Sequence, residues 1–141
     1  RIVCREIKRS KNADYIPEQA SFSAMPPLEA LKMLLSLMVT LRTSKRNRKP
    51  LKLRLLDISR AHFYGHAQRE IFVTLPEGDQ EEGMVGLLLK SMYGTRDAAH
   101  IWQQSYTDVL LAAGFKRSAA WPAIFFHERL EARLLVASPW R

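Results

Sequence analysis

Leu55-Leu56-Asp57-Ile58-Ser59-Arg60-Ala61-His62-Phe63-Tyr64-Gly65 is the stretch that decides most about this chain. Just before it, residues 51–55 alternate between leucine and a cationic residue, which predicts a strand with one buried face over 51–58. A carboxylate at the end of a buried strand is costly unless it meets a metal ion or a hydrogen-bond donor. Asp57 is therefore a candidate site residue. The alternative is an aspartate that caps the following turn with its own side chain.

The rest of the chain predicts an α+β fold. Apolar residues at helical spacing predict helices over 27–41 and 96–113, the second capped by Thr95 or Asp97 and with Trp102 on its apolar face. Short apolar runs predict further strands over 1–7, 70–75, 84–90, 123–127 and 133–136. We expect an antiparallel sheet formed by 51–58, 70–75, 123–128 and 132–136, with both helices packed on one of its faces.

Composition narrows the class of protein and of partner. The 141 residues suffice for one domain, and 47% hydrophobic with 26% charged residues is typical of a folded chain. A net charge of +8 favours a polyanionic partner, with nucleic acid ahead of an anionic membrane. No apolar run approaches the roughly 20 residues that span a bilayer. Cys4 is the only cysteine, which excludes an internal disulfide and a cysteine-based zinc knuckle.

A basic run occupies residues 42–49, between the first helix and the strand that leads to Asp57. Two interpretations stay open for it, a solvated loop and a nucleic-acid contact. Its five cations are Arg42, Lys45, Arg46, Arg48 and Lys49.

A second distinctive block follows 33 residues after Asp57. It reads Lys90-Ser91-Met92-Tyr93-Gly94-Thr95-Arg96-Asp97-Ala98-Ala99-His100-Ile101-Trp102. In this order, the two blocks resemble the patterns D-V-x-x-A-F-L-x-G and L-Y-G-L-x-Q-A-P-x-x-W of the reverse transcriptase of copia-type (Ty1/copia) retrotransposons. Further matches support the resemblance: Arg1 to Arg5 with R-L-V-A-K, Arg69 to Gly78 with E-E-I-Y-M-x-Q-P-x-G, and Gly114 to Ser118 with G-F-x-x-S.

The resemblance implies a fold and a set of site residues. It implies the fingers and the front of the palm of an RNA-directed DNA polymerase over residues 1–141. Asp57 would be the catalytic carboxylate and a ligand of Mg²⁺. Arg1, Arg5, His62 and Gly94 would contact the incoming deoxynucleotide, since arginine pairs phosphate oxygens through two donors. The implied partners are an RNA or DNA template-primer and the remainder of a retrotransposon polyprotein.

The chain also departs from the family pattern. His62 stands at the position of the aromatic residue beneath the nucleotide sugar, Asp97 replaces a glutamine, and Ala99 replaces a proline. After the last predicted strand, where the family has an aspartate pair, this sequence has Ala137-Ser138-Pro139-Trp140-Arg141. Two-metal nucleotidyl transfer needs carboxylates that bridge both ions. We therefore expect a domain truncated before the aspartate-pair motif and inactive as a polymerase by itself.

Two other functions are alternatives to this one. His62 and His66 have the i, i+4 spacing of zinc ligands on a helix, but no third or fourth ligand is linked to them by a motif. The stronger alternative is a non-enzymatic, basic nucleic-acid-binding remnant that keeps the cationic loop and makes no product.

Overall fold

The computed structural model describes residues 3–6, 23–43 and 52–137. In chain order these contain helix α1 (Leu28–Thr43), a 3₁₀ helix (Ala61–Tyr64), strands β1 (Phe72–Val73) and β2 (Gly86–Leu87), helix α2 (Ala98–Ala112), and strands β3 (Lys116–Arg117), β4 (Ile124–His127) and β5 (Ala132–Leu135). The predicted α+β class is confirmed, and both helices lie within two residues of their expected bounds. Neither helix is long and apolar enough to cross a membrane.

The described residues form two compact units. The first contains residues 3–6, 23 and 60–113, and the second contains 24–43, 52–59 and 114–137. Each unit has its own antiparallel sheet. β1 pairs with β2 in the first, with Phe72 opposite Leu87, and β3, β4 and β5 form a meander in the second.

The expectation of one common sheet is therefore wrong for the described residues. Strands 70–75 and 123–136 lie in different sheets, and each pairs with a neighbour that is close in sequence. Short hairpins close with a smaller loss of chain entropy than pairings between distant segments. Alternating patterns fix which face a strand buries, but they do not choose its partner.

The core of the first unit lies beneath α2. Ala98, Ile101, Trp102 and Tyr106 are buried, and the rings of Trp102 and Tyr106 meet edge to face at 5.4 Å. Trp102 is thus a core residue, as its place on the apolar face of the helix predicts. In the second unit Ala123 and Phe125 are buried, and Phe125 has no exposed surface.

The predicted strand over 51–58 is the main departure from the sequence-based expectation. Residues 52–58 are extended but form no strand, and the side chains of Leu55 and Leu56 are 91% and 79% exposed. A strand is stable only when a neighbour completes its hydrogen bonds. No described segment pairs with 52–58. The predicted strand at the N-terminus is also absent from residues 3–6.

Candidate active site

The end of the first distinctive block, residues 60–65, lies beside the second block in the first unit. The Ser91 N–H donates to the Gly65 carbonyl at 2.9 Å, and a β-bridge joins His66 to Lys90. The end of the Asp57 block is thus bonded to the start of the Tyr93-Gly94 block.

Gly65 allows the 3₁₀ helix to lie directly on α2. A Cβ atom at this position would come within 2.3 Å of the Ile101 side chain and 3.2 Å of the Ser105 hydroxyl oxygen. Any larger residue would push the 3₁₀ helix away from α2. Close packing of the 3₁₀ helix on α2 therefore explains why the first motif ends with a glycine.

Gly94 receives the N-terminal segment. Its φ of 94° is in the left-handed region, and a Cβ atom there would lie 1.7 Å from the Cys4 carbonyl oxygen. The Cys4 N–H donates to the Tyr93 carbonyl at 2.8 Å. Only glycine permits this approach of the two backbones. Sequence reasoning assigned Gly94 to nucleotide contact and did not foresee that it seats residues 3–6.

A cluster of charged side chains also binds the N-terminal segment, through Glu6. We call Glu6, Arg69, Arg96 and Asp97 the Glu6 cluster. Arg69 Nη2 lies 2.5 Å from Glu6 Oε2, Arg69 Nε lies 3.0 Å from Asp97 Oδ2, and Arg96 Nε lies 2.9 Å from Glu6 Oε1. The Arg96 backbone N–H also donates to Glu6.

The electrostatics of the Glu6 cluster follow from this geometry. Burial by itself would raise the pKa of Glu6, but the hydrogen bonds from Arg69 and Arg96 outweigh it and hold the pKa below its ordinary value of 4.5. Burial lowers and the two carboxylates raise the pKa of Arg69, with a net rise. Burial, followed by the nearby Glu6 charge, raises the pKa of the Cys4 thiol.

Sequence reasoning missed the Glu6 cluster. It treated Asp97 as a helix cap and as a replacement of the family's glutamine, whereas the Asp97 side chain makes no cap hydrogen bond to α2 and instead pairs with Arg69. Two departures from the family pattern gave a usable signal: an arginine at 69 in place of a glutamate, and an aspartate at 97 in place of a glutamine. Opposite charges introduced at two positions suggest a pair.

His62 is almost fully buried, with 4% of its surface exposed. Its Nδ1 lies 3.0 Å from the Ala98 carbonyl oxygen, so Nδ1 carries the proton and donates, because a carbonyl can only accept. Its ring meets Tyr93 edge to face at 4.5 Å. His62 therefore joins the 3₁₀ helix to α2 and Tyr93, and little of its own surface is left for a ligand.

Asp57 lies in the exposed extended segment of residues 52–58, in the same compact unit as the β4–β5 hairpin. The structure therefore corrects the expected setting of this residue at the end of a buried central strand. Arg60, whose φ of 57° is left-handed, turns the chain from this segment into the 3₁₀ helix. Within the described ranges no three His, Cys, Asp or Glu side chains are grouped as metal ligands. The hypothesis of a zinc site at His62 and His66 has no support there.

Only two of the remaining candidate residues, Arg5 and Arg42, lie within the described ranges. Arg5 is exposed, one residue beyond the contact of Cys4 with the Tyr93-Gly94 turn. Arg42 lies in the last turn of α1. Arg1, Lys45, Arg46, Arg48 and Lys49 lie outside the described residues.

Comparison with known proteins adds independent evidence. A family model described as reverse transcriptase (RNA-dependent DNA polymerase) matches residues 1–138. The chain is also 24% identical, over 139 residues, to the Retrovirus-related Pol polyprotein from transposon TNT 1-94 of Nicotiana tabacum. That alignment covers 96% of this chain and 10% of the polyprotein, so the chain spans about a tenth of the relative's length. No solved structure matches.

The copia-type resemblance inferred from the two blocks is thus confirmed by both matches. The end of the first block is bonded to the second block at Gly65 and Ser91, and the second block contacts the N-terminal segment at Gly94 and Cys4. By its match across residues 1–138, this chain belongs to the reverse transcriptase (RNA-dependent DNA polymerase) family.

Proposed function

We propose that this chain supplies the nucleotide-binding segment and one metal-binding carboxylate of an RNA-directed DNA polymerase from a copia-type retrotransposon. One observation carries the proposal: residues 3–6 are seated on the Tyr93-Gly94 turn. The basic N-terminal segment and Gly94 are the regions that the family resemblance assigns to the incoming nucleotide, and they meet in one place. The family match over residues 1–138 supports the interpretation of this contact as a nucleotide-binding site.

Each candidate residue has a distinct role in this proposal. Arg1 and Arg5 bind the triphosphate, because guanidinium groups donate two parallel hydrogen bonds to phosphate oxygens. Tyr93, which is partly exposed, forms the adjoining surface, and the buried His62 holds its ring from beneath. The Glu6 cluster positions Arg5 by anchoring the neighbouring residue.

The metal requirement can be met only in part by the described residues. Magnesium binds through carboxylates, waters and substrate phosphates, and a two-metal site needs several carboxylates. Asp57 has an exposed carboxylate, but no group of three ligand side chains lies within the described ranges. The proposal therefore gives Asp57 the role of one ligand to a divalent ion, Mg²⁺ by family resemblance, and derives no step through that ion.

Nucleotide binding by the unmodified chain is the first test. A fluorescent deoxynucleotide triphosphate should bind, and Arg5→Ala should weaken its binding about tenfold, the loss of one charge-assisted contact. Arg129→Ala, at an exposed arginine in the β4–β5 turn, is the matched control and should leave binding unchanged. Equal loss in both variants would show that only net charge matters.

A chimera tests the catalytic role of Asp57. Replacing residues from Ala137 onward with Tyr-Val-Asp-Asp and a following strand should give primer extension on an RNA template with magnesium. Asp57→Asn in the chimera should abolish extension, while Asp79→Asn, at an exposed aspartate in the β1–β2 turn, should not. The unmodified chain should make no product. Extension by the unmodified chain, or by the chimera lacking the Asp57 carboxylate, would contradict the proposal.

A second candidate function is supported by the charge of +8 and a pI of about 10.0. In this alternative the chain binds nucleic acid through its cations and has no catalytic role. Binding should be independent of sequence and should weaken by a log–log slope of about 0.7 to 0.9 per phosphate contacted as salt rises. Both functions predict this binding, but only the polymerase function predicts specific loss of nucleotide binding in Arg5→Ala.

A further inference from the structure

The β3–β4–β5 sheet carries a row of three side chains across its outward face. Lys116 lies opposite Phe126 in the register, and Phe126 lies opposite Arg133. Residues directly opposite each other in antiparallel strands point to the same face of the sheet. The neighbouring Phe125 is fully buried, so the alternation along β4 sends Phe126 to the other face, where it is 38% exposed. We call Lys116, Phe126 and Arg133 the sheet row.

The sheet row places an aromatic ring between two cations. The Lys116 Nζ atom lies 6.0 Å from the centroid of the Phe126 ring. Arg133 is exposed on the other side of the ring and makes no ion pair with another described residue. The backbones of Lys116 and Arg133 are two strand spacings apart, which is about 10 Å. A flat ring flanked by cations is the arrangement with which proteins stack one base and contact the phosphates beside it.

One carboxylate competes for the sheet row. Glu128 Oε1 accepts a hydrogen bond from Lys116 Nζ at 2.7 Å, and both side chains are well exposed. An ion pair this exposed contributes little, because water and salt screen it. A phosphate oxygen can therefore displace the Glu128 carboxylate from Lys116 at small cost.

The charge of the two units selects the kind of partner. Among the described residues, the second unit has eight lysines and arginines against four carboxylates, whereas the first has five against eight. The sheet row thus belongs to the cationic unit, which attracts a polyanion. The ring restricts the choice further, because only a polyanion with flat, accessible bases can stack on it. A duplex keeps its bases within its own stack, so an unpaired strand fits best.

We infer that the sheet row is a binding site for single-stranded nucleic acid. One base stacks on the Phe126 ring, and the phosphates on either side of that base contact Lys116 and Arg133. Every base has a flat face, so the site tolerates any sequence and accepts both DNA and RNA. The site shares no residue with the proposed nucleotide and metal site and does not depend on it.

Fluorescence anisotropy of the full chain with a labelled oligo(dT) of about 12 nucleotides tests the stacking contact. Phe126→Ala should weaken binding about tenfold, the loss of one stacked base. Phe126→Leu should weaken it by a similar factor, because leucine keeps the apolar bulk but has no ring. Phe126→Trp should retain binding. Circular dichroism should show an unchanged fold in all three variants, since the side chain lies on the outward face.

The salt dependence of the same binding tests the phosphate contacts. Arg133→Met should weaken binding and lower the log–log salt slope by about 0.7, the value for one phosphate on a single strand. Phe126→Ala should leave the slope unchanged, because stacking releases no counterion. Glu128→Gln should tighten binding severalfold, since it frees Lys116 and removes a negative charge beside the bound strand.

Matched controls separate the sheet row from the charge and surface of the whole chain. Phe72→Ala removes a ring that is 60% exposed on β1, where residues 70–89 include no lysine or arginine. Lys32→Met and Glu29→Gln remove one exposed charge each from α1. All three controls should bind the oligonucleotide like the wild type.

Several outcomes would overturn the inference. Unchanged binding in Phe126→Ala would exclude stacking, and equal losses in Arg133→Met and Lys32→Met would show that only net charge matters. Oligo(U) should bind about as well as oligo(dT), and poly-glutamate should bind more weakly. Tighter binding of poly-glutamate, with the same dependence on Phe126, would assign the sheet row to an acidic protein instead. None of these assays measures deoxynucleotide binding, so their failure would leave the proposed nucleotide site standing.

Discussion

The two sequence blocks that point to a polymerase differ sharply in how the structure holds them. The block around Gly94 is bonded to residues 3–6, to Gly65 and to the Glu6 cluster. The segment around Asp57, residues 52–58, is extended and exposed, and no other described segment pairs with it. The Tyr93-Gly94 turn thus finds its partners within its own unit, whereas the extended segment pairs with no described strand. The following variants test that contrast.

Gly94→Ala should have the largest effect. The new Cβ would collide with the Cys4 carbonyl and would also hold alanine at a φ of 94°, so we expect a loss of about 3 kcal/mol or more in the free energy of unfolding. Gly78→Ala is the matched control. Gly78 has a similar φ of 106°, but its Cβ would meet no atom within 4 Å.

Urea denaturation of both variants measures the difference. The control should lose only about 1 kcal/mol, the cost of a left-handed alanine. Equal losses in the two variants would mean that residues 3–6 are not seated on Gly94.

Arg69→Met should have the next largest effect. It leaves the carboxylates of Glu6 and Asp97 without their shared partner, and both are mostly buried, so about 2 kcal/mol of unfolding free energy should be lost. Lys116→Met breaks the pair between Lys116 and Glu128, whose side chains are both well exposed, and should leave the urea midpoint almost unchanged. Urea midpoints that rank these variants in the opposite order would contradict our description of the Glu6 cluster.

The pH dependence of stability should report Glu6. Its pKa in the folded chain lies below the unfolded value, so its contribution is complete above about pH 4.5 and is lost as the pH falls through the folded pKa. Urea midpoints measured from pH 7 to pH 3 should therefore decline at the acid end. Glu6→Gln should flatten part of this decline. An unchanged acid slope in that variant would show that other carboxylates account for it.

Leu55→Ala should have the smallest effect. The side chain is 91% exposed, so truncation should change the free energy of unfolding by less than about 0.5 kcal/mol. Ile101→Ala, at a residue that is 3% exposed, should cost 2 to 5 kcal/mol by comparison. A large loss at Leu55 would show that the 52–58 segment packs against a core after all.

The two helices also differ in how far their apolar faces are buried. Both were predicted from apolar residues at helical spacing, and both form. α2 buries its apolar face beneath the 3₁₀ helix, where Gly65 allows close approach, but the Leu28-Leu31-Leu35 stripe of α1 stays exposed. Periodicity specifies that a helix has an apolar face. It does not specify which surface covers that face.

The sequence by itself determined the family, the helices, the β4–β5 hairpin and the inward-facing side of residues 71–75. Each of these depends on a local pattern: a motif, a period of 3.6 or 2, or a turn residue. Only the tertiary structure decided that Gly94 seats Cys4, that Asp97 pairs with Arg69 and Arg69 with Glu6, that His62 is buried beneath Tyr93, and that Asp57 stands outside any strand. These outcomes depend on contacts between residues as many as 90 positions apart, as in the bond from Arg96 to Glu6. A local sequence pattern does not specify such partners, because each contact stabilises the chain only after folding has brought the two distant residues together.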